Sequence, residues 1–415
     1  MKAPLFVKIR QHFPRPVIKD VQQMVRTELK KVNLRSRLKP GQRVAITAGS
    51  RGIKNIVAIL RTVAEEIRAA GAEPFVVAAM GSHGGGSAEG QKKVLASLGI
   101  TESSVGCPVM AADEVVEVGR TASGKRVFCD ALAWEAGAIV VVNRIKPHTT
   151  FHGPVESGLL KMMAVGLGKA RGASVFHRTK PGEMSQALLE MGEVFLCSGR
   201  VVAGLAVVEN GYEETAIVEA APPEELVSME TRLLKAAYHL LPRLPVDELD
   251  FLVVREMGKN ISGTGMDVNV IGRMRMAGVP EPERPFIARI VVLDLTDESH
   301  GNATGIGLAD FTTARLVEKI DRGATYLNCI TSGNVQRAML PIVLPGDQEA
   351  FEAALRSLGA EDTCRLRGAI IKNTLELEYL WVTANLVGEL ACREGVEIIT
   401  LSRKFEFKDV LPCLD

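Results

Sequence analysis

Residues 43–52 read Arg-Val-Ala-Ile-Thr-Ala-Gly-Ser-Arg-Gly. A short run rich in β-formers stops at Gly49-Ser50-Arg51-Gly52, and from Ile53 to Ala70 apolar residues recur at helical spacing. This is a strand, a glycine loop and a helix. The unit recurs: Pro74–Met80 is apolar, Gly81-Ser82-His83-Gly84-Gly85-Gly86-Ser87 follows, and Ala88–Leu98 is helical in pattern. Strands that alternate with helices imply a parallel sheet with right-handed crossovers.

Outward from these units, residues 111–130 hold shorter β-like pieces around Ser123-Gly124 and read as a hairpin. Ala138–Val142 is a strand apolar enough to be covered on both faces. The pattern is mostly helical over Gly153–Leu167 and helical over Glu183–Cys197; Val201–Val208 is a strand, and Pro222-Pro223 opens a helix ending near Leu241. Two prolines between Leu241 and Asp250 mark a domain boundary. Beyond it we expect strands at Asp250–Arg255, Ile287–Leu295 and Gly368–Lys372, helices at Phe311–Asp321 and Gln348–Leu358, and a glycine-rich loop over Gly258–Asn269. The fold class is α/β, with two α/β domains and mainly parallel sheets. The N-terminal domain is expected over 1–246, the C-terminal domain over 247–395, and 396–415 as a tail packing back on the first.

Composition bounds the function. With 415 residues, 47% hydrophobic and 24% charged, the chain is an ordinary globular protein too long for one core, and its net charge of +1 gives no attraction for a polyanion. Nucleic acid is not an expected partner. The seven cysteines are scattered without a CxxC and read as reduced thiols of a cytoplasmic protein. Lys8 and Arg10 interrupt the N-terminal apolar residues, and no apolar run approaches about 18 residues, so neither a signal peptide nor a membrane span is expected.

The glycine loops at 49–52, 81–87 and 258–265 fall at the carboxyl ends of strands, where open α/β sheets bind ligands; a tight turn is the plainer reading of each. Arg51 offers a planar charged fork for a carboxylate or phosphate, or is a surface arginine. His83, among glycines, suits proton transfer near neutral pH, against a role as a turn residue. His148 and His152 flank a loop after the apolar strand and form a metal pair only if that loop is helical. Lys161 sits among Leu159, Leu160, Met162 and Met163. Such a lysine either snorkels to water or, desolvated, becomes a nucleophilic amine.

In order, Arg51 on a strand-end loop, His83 in Gly-Ser-His, Pro147-His148, Lys161, and His177 sixteen residues later resemble the lactate racemase family over roughly residues 40–280. The resemblance implies two α/β domains with the active site in the cleft between them. It also implies a nickel-pincer nucleotide, a pyridinium-3-thioamide-5-thiocarboxylic acid mononucleotide carrying Ni. On that reading Lys161 is the covalent attachment point, Gly49 and Ser50 contact the cofactor, and His177 is the nickel ligand. His83 and His148 are the acid/base pair, and Arg51 and Arg275 hold the substrate. Expected partners are a 2-hydroxy acid and the cofactor-synthesis enzymes. Soft sulfur donors with an imidazole suit square-planar nickel.

The sequence departs from the family pattern at Lys146, where an acidic residue usually precedes Pro-His, and at Gly158-Leu-Leu-Lys161 in place of Gly-Gly-x-Lys. The interval from His148 to Lys161 is also longer. Gly272 and Arg275 stand where the family has a glutamine and a lysine. These differences suggest a divergent isomerase that racemises or epimerises a 2-hydroxy acid other than lactate. Two rival classes are a cofactor-free metal-dependent hydrolase or lyase using His83 and His148, and a two-domain binding protein for an anionic ligand.

Overall fold

A computed structural model of the chain describes residues 4–405. The backbone divides into two units, Arg15–Leu241 and Met1–Pro14 with Pro242–Asp415. The N-terminal domain expected over 1–246 therefore lacks its first strand. β1 (Leu5–Gln11) pairs antiparallel with the strand Tyr379–Thr383, placing Phe6 opposite Thr383, and so belongs to the sheet of the second unit.

The first unit is built on β2 (Arg43–Ala48), β3 (Glu73–Ala78), β4 (Val109–Met110), β7 (Ile139–Arg144), β8 (Val201–Glu209) and β9 (Thr215–Ala221), in the spatial order β4-β3-β2-β7-β8-β9. All neighbours are parallel except β8 and β9. A separate hairpin, β5 (Val115–Arg120) with β6 (Arg126–Asp130), lies where the sequence places one.

Side-chain alternation divides the sheet between two cores. Val44, Ile46, Val140 and Val142 pack with Ile59, Leu60, Val63 and Ile67 of the helix Ile56–Ala69. Ala45, Ile139 and Val141 face Leu159, Leu160, Phe176 and Phe195 on the other side. Each fully buried large side chain contributes about 1.5–3 kcal/mol relative to exposure. Both faces being covered explains why β2 and β7 read as continuous apolar runs.

The strand order reverses between β2 and β7, the point at which an open parallel sheet leaves a crevice at its carboxyl edge. Three loops meet that edge: 49–52 after β2, 81–87 after β3 and 145–158 after β7. Helix was expected from Gly153 but begins only at Leu159, because Lys146 and Ser157 form a bridge that closes the intervening residues as a loop. Met162–Leu167 then winds as a π-helix. A Cβ on Gly166 would stand 2.7 Å from the Ala79 carbonyl oxygen, so glycine is what lets this turn lie against the end of β3.

In the second unit β10 (Glu248–Met257), β11 (Phe286–Leu295), β12 (Phe311–Thr313), β13 (Ile342–Leu344), β14 (Gly368–Ile371), β15 (Tyr379–Thr383), β16 (Val396–Ile398) and β17 (Arg403–Lys404) join β1 in one nine-stranded sheet. β10 to β14 pair in parallel, whereas β15, β1, β16 and β17 extend the sheet antiparallel. The helix expected over Phe311–Asp321 is a strand in its first three residues. Phe311, Thr312 and Thr313 are aromatic or β-branched and buried, and helix starts at Ala314 with Thr313 as its cap. The tail strands β16 and β17 pair with β1; residues 406–415 of the expected tail lie outside the described residues. No helix among the described residues is long and apolar enough to cross a membrane.

Candidate functional site

The site is organised by a carboxylate that sequence reading passed over. Glu156 is 1% exposed. Its Oε2 accepts the His148 backbone N–H at 2.6 Å, and its Oε1 accepts the Gly153 N–H at 3.2 Å and the Tyr238 hydroxyl at 2.9 Å. His152 completes this group, its Nδ1 lying 2.7 Å from the Tyr238 hydroxyl and 3.4 Å from Glu156 Oε1. The Pro147–Glu156 loop is thus cross-tied, and His152 supports it from outside the crevice. An acidic residue four positions after His152 in an otherwise uncharged loop is the signal that could have found Glu156.

His148 is fixed at its ring as well. Nδ1 accepts the Thr150 backbone N–H at 3.1 Å, so the neutral imidazole carries its proton on Nε2. The ring stacks on Phe151 with centroids 4.4 Å apart; Phe151 meets Phe176 edge-on at 5.8 Å, and Phe176 meets His177 at 5.5 Å. This line of rings links His148 to His177 through two phenylalanines, although 28 residues separate them along the chain. The helix Lys169–His177, which ends on His177, was not expected from the sequence.

Lys161 ends the short turn Leu159–Lys161 and is partly buried, its Nζ donating to Ser157 Oγ at 3.3 Å. Burial first, then the charges of Lys146 and Arg51, lower its pKa to about 7 against a smaller pull from Glu156. Half of the amine is therefore neutral near pH 7. Burial and then the Lys161 charge lower His177 to about 4, which leaves its imidazole neutral and able to ligate.

The turn under Lys161 rests on a second buried acid, Glu230 of the helix Leu226–Leu240. Its Oε2 accepts the Leu160 N–H at 3.0 Å, and a Cβ on Gly158 would stand 2.3 Å from its Oε1. Asn143 Nδ2 donates to the Gly158 carbonyl at 2.7 Å, tying the turn to the end of β7. Burial raises Glu230 to about 7, opposed by the Leu160 and Leu159 backbone N–H groups.

Gly49 and Ser50 are half-buried on the loop after β2, with Arg51 next to them and exposed. A Cβ on Gly49 would come 3.2 Å from Met162 Cε, against the π-helix. His83 is exposed on a loop in which Gly84, Gly85 and Gly86 all have positive φ. Arg275 lies in the other unit. Its fork is committed to Asp310 at 2.6 Å and to the carbonyls of Gly307 and Ala309, while Glu281 takes its backbone N–H at 2.7 Å. Gly272 has φ +60°, and a Cβ there would stand 1.6 Å from the Pro285 carbonyl oxygen, so this backbone admits no glutamine. Among the described residues no group of three or more His, Cys, Asp or Glu side chains is placed to hold a metal ion. A metal here would need donors from a bound group, and Lys161 and His177 fit one that is tethered through an amine and completed by an imidazole.

Residues 8–183 match the family model described as the lactate racemase N-terminal domain, a span that contains Arg51, His83, His148, Lys161 and His177. The structure of the lactate racemase apoprotein from Thermoanaerobacterium thermosaccharolyticum is similar over 90% of this chain and 99% of that one, with a TM-score of 0.54 at 13% identity. At that identity the likeness is one of fold. No curated protein matches the sequence.

Proposed function

From the match of residues 8–183 to the lactate racemase N-terminal domain model, we propose that the protein is an isomerase that racemises or epimerises a 2-hydroxy acid. The observation that carries the reading is the pairing of Lys161, whose amine is half neutral near pH 7, with His177, a neutral imidazole within reach of its charge. One is suited to form a covalent tether and the other to ligate a soft metal. Lys161 and His177 would hold a nickel-pincer nucleotide, with Gly49 and Ser50 beside it. When bound, such a group supplies a reversible two-electron acceptor for the hydride on carbon 2.

The protein's own residues manage charge and protons. Arg51, with Lys146, makes the crevice cationic and receives the substrate carboxylate. Inverting one carbon requires a proton acceptor for the hydroxyl on each of two faces, and His83 and His148 come from different loops of the same sheet edge. With Nδ1 accepting the Thr150 N–H, the neutral His148 ring presents Nε2–H to the substrate oxygen. To take the hydroxyl proton on Nε2 it must carry its own proton on Nδ1 instead and give up the Thr150 bond. A planar 2-keto acid would be the symmetric intermediate, and the same pair of imidazoles would return the proton to its oxygen from either face.

The test is to follow 2-hydroxy acids deuterated at carbon 2. Inversion with the label retained supports hydride movement, and washout into solvent contradicts it.

A further inference from the structure

One buried cation takes no part in the chemistry above. Lys169 is 4% exposed, and its φ of +53° is a left-handed conformation that a lysine adopts only under constraint. Its Nζ donates to the Ala78 carbonyl at the end of β3 (2.7 Å) and to Gln91 Oε1 (2.6 Å), and forms an ion pair with Asp130 at 3.0 Å. Asp130, 0% exposed, ends β6, and its Oδ1 caps the following helix by accepting the Ala133 N–H. Gln91 reaches back from the helix Ala88–Ser97 to donate to the Gly81 carbonyl at 2.9 Å and, more weakly, to the His83 carbonyl at 3.4 Å. Lys169 is also the first residue of the helix whose last is His177.

The loop bearing His83 needs such support. Three consecutive glycines at positive φ give its backbone no side-chain restraint, and the imidazole itself is exposed. A Cβ on Gly84 would stand 2.6 Å from the Gln91 backbone N, so the loop lies directly on the start of the Gln91 helix. Gly81 N–H donates to the Gly166 carbonyl of the π-helix at 3.2 Å. The first half of the loop is therefore held by Gln91, which Lys169 holds in turn, and by the Gly166 carbonyl.

We propose that Lys169 is a positioning residue. Through Gln91 and the Ala78 carbonyl it fixes the His83 loop to the element that begins at Lys169 and ends at His177, so the two imidazoles keep one relative placement. This rests on the proposed racemase reading only for the consequence in turnover; the clamp itself is a property of the chain without any bound group.

The experiment compares K169M, the double variant K169M/D130N, K169R and the unsubstituted chain by backbone hydrogen exchange and melting. K169M alone strands a buried carboxylate and melts lower; the double variant removes that stranded charge, keeps an Asn cap, and recovers most of the midpoint. The proposal expects exchange of the Gly81–Gly86 amides to rise about tenfold in both, even where melting has recovered, and to stay slow in K169R. Unchanged exchange over Gly81–Gly86 in the double variant overturns it. In cofactor-loaded protein kcat should fall with KM held. A loosened loop with full turnover would leave the clamp standing and remove His83 from the reaction, which separates the two failures.

Discussion

Glu156 Oε2 accepts the His148 backbone N–H at 2.6 Å, so a carboxylate with almost no exposure sets where the site imidazole is anchored. Each hydrogen bond to a buried carboxylate is worth about 1.5–3 kcal/mol. Glu156→Ala should therefore lose about 3 kcal/mol or more in chemical denaturation and slow turnover. Tyr238→Phe, which removes a single donor, should cost about 1.5 kcal/mol. Equal effects from the two changes would show that the carboxylate is not the hub.

Lys161 makes a prediction about pH that needs no activity. Its folded pKa is about 7 against an ordinary 10.5, so between those values the unfolded chain holds the extra proton and stability from this group rises with pH. Competitive acetylation, read by peptide mass, should show Lys161 reactivity rising through pH 7 and levelling well before the surface lysines. Lys146→Ala removes a like charge and should move that midpoint upward. A Lys161 profile matching the surface lysines contradicts the account.

Glu230 acts with the opposite sign. Burial raises it from 4.5 to about 7, so in that window the folded chain holds the extra proton. Its contribution is full below pH 4.5 and is lost as pH rises through 7. Glu230→Gln should flatten the melting curve across that window, and a slope unaltered from the parent would assign the pH dependence elsewhere.

Gly272 carries the clearest steric prediction. With φ at +60° and the Pro285 carbonyl oxygen 1.6 Å from a built Cβ, Gly272→Ala should destabilise the chain by more than about 2 kcal/mol in denaturant titration. A neutral result would mean that the backbone relaxes freely there.

The strand and glycine-loop units were legible because an apolar β-run that stops on glycine has few other folds open to it. Arg51, His83 and His148 followed from them, each sitting where a parallel strand ends. What the sequence hid depends on distant partners. β1 looked like the start of the first domain because nothing local reveals that Phe6 pairs with Thr383. Glu156, Glu230 and Lys169 are ordinary surface residue types until folding buries them. Met162–Leu167 has an α-like composition that gives no sign of its π winding, or of the close approach of Gly166 to Ala79. The helix Lys169–His177 was obscured by Gly168 and Gly172, which weaken a helical pattern. Arg275 was singled out by alignment to a motif, and the structure gives its fork Asp310 and two carbonyls as partners.

The central claim is that Lys161 tethers a nickel-bearing nucleotide ligated by His177. Intact mass and metal content of the chain, co-expressed with cofactor-synthesis enzymes beside Lys161→Ala and His177→Ala, test it most directly. The account predicts a covalent adduct that maps to Lys161 together with bound nickel, both absent in Lys161→Ala, and an adduct without nickel in His177→Ala. Full isomerase activity from a chain whose Lys161 is unmodified would contradict it.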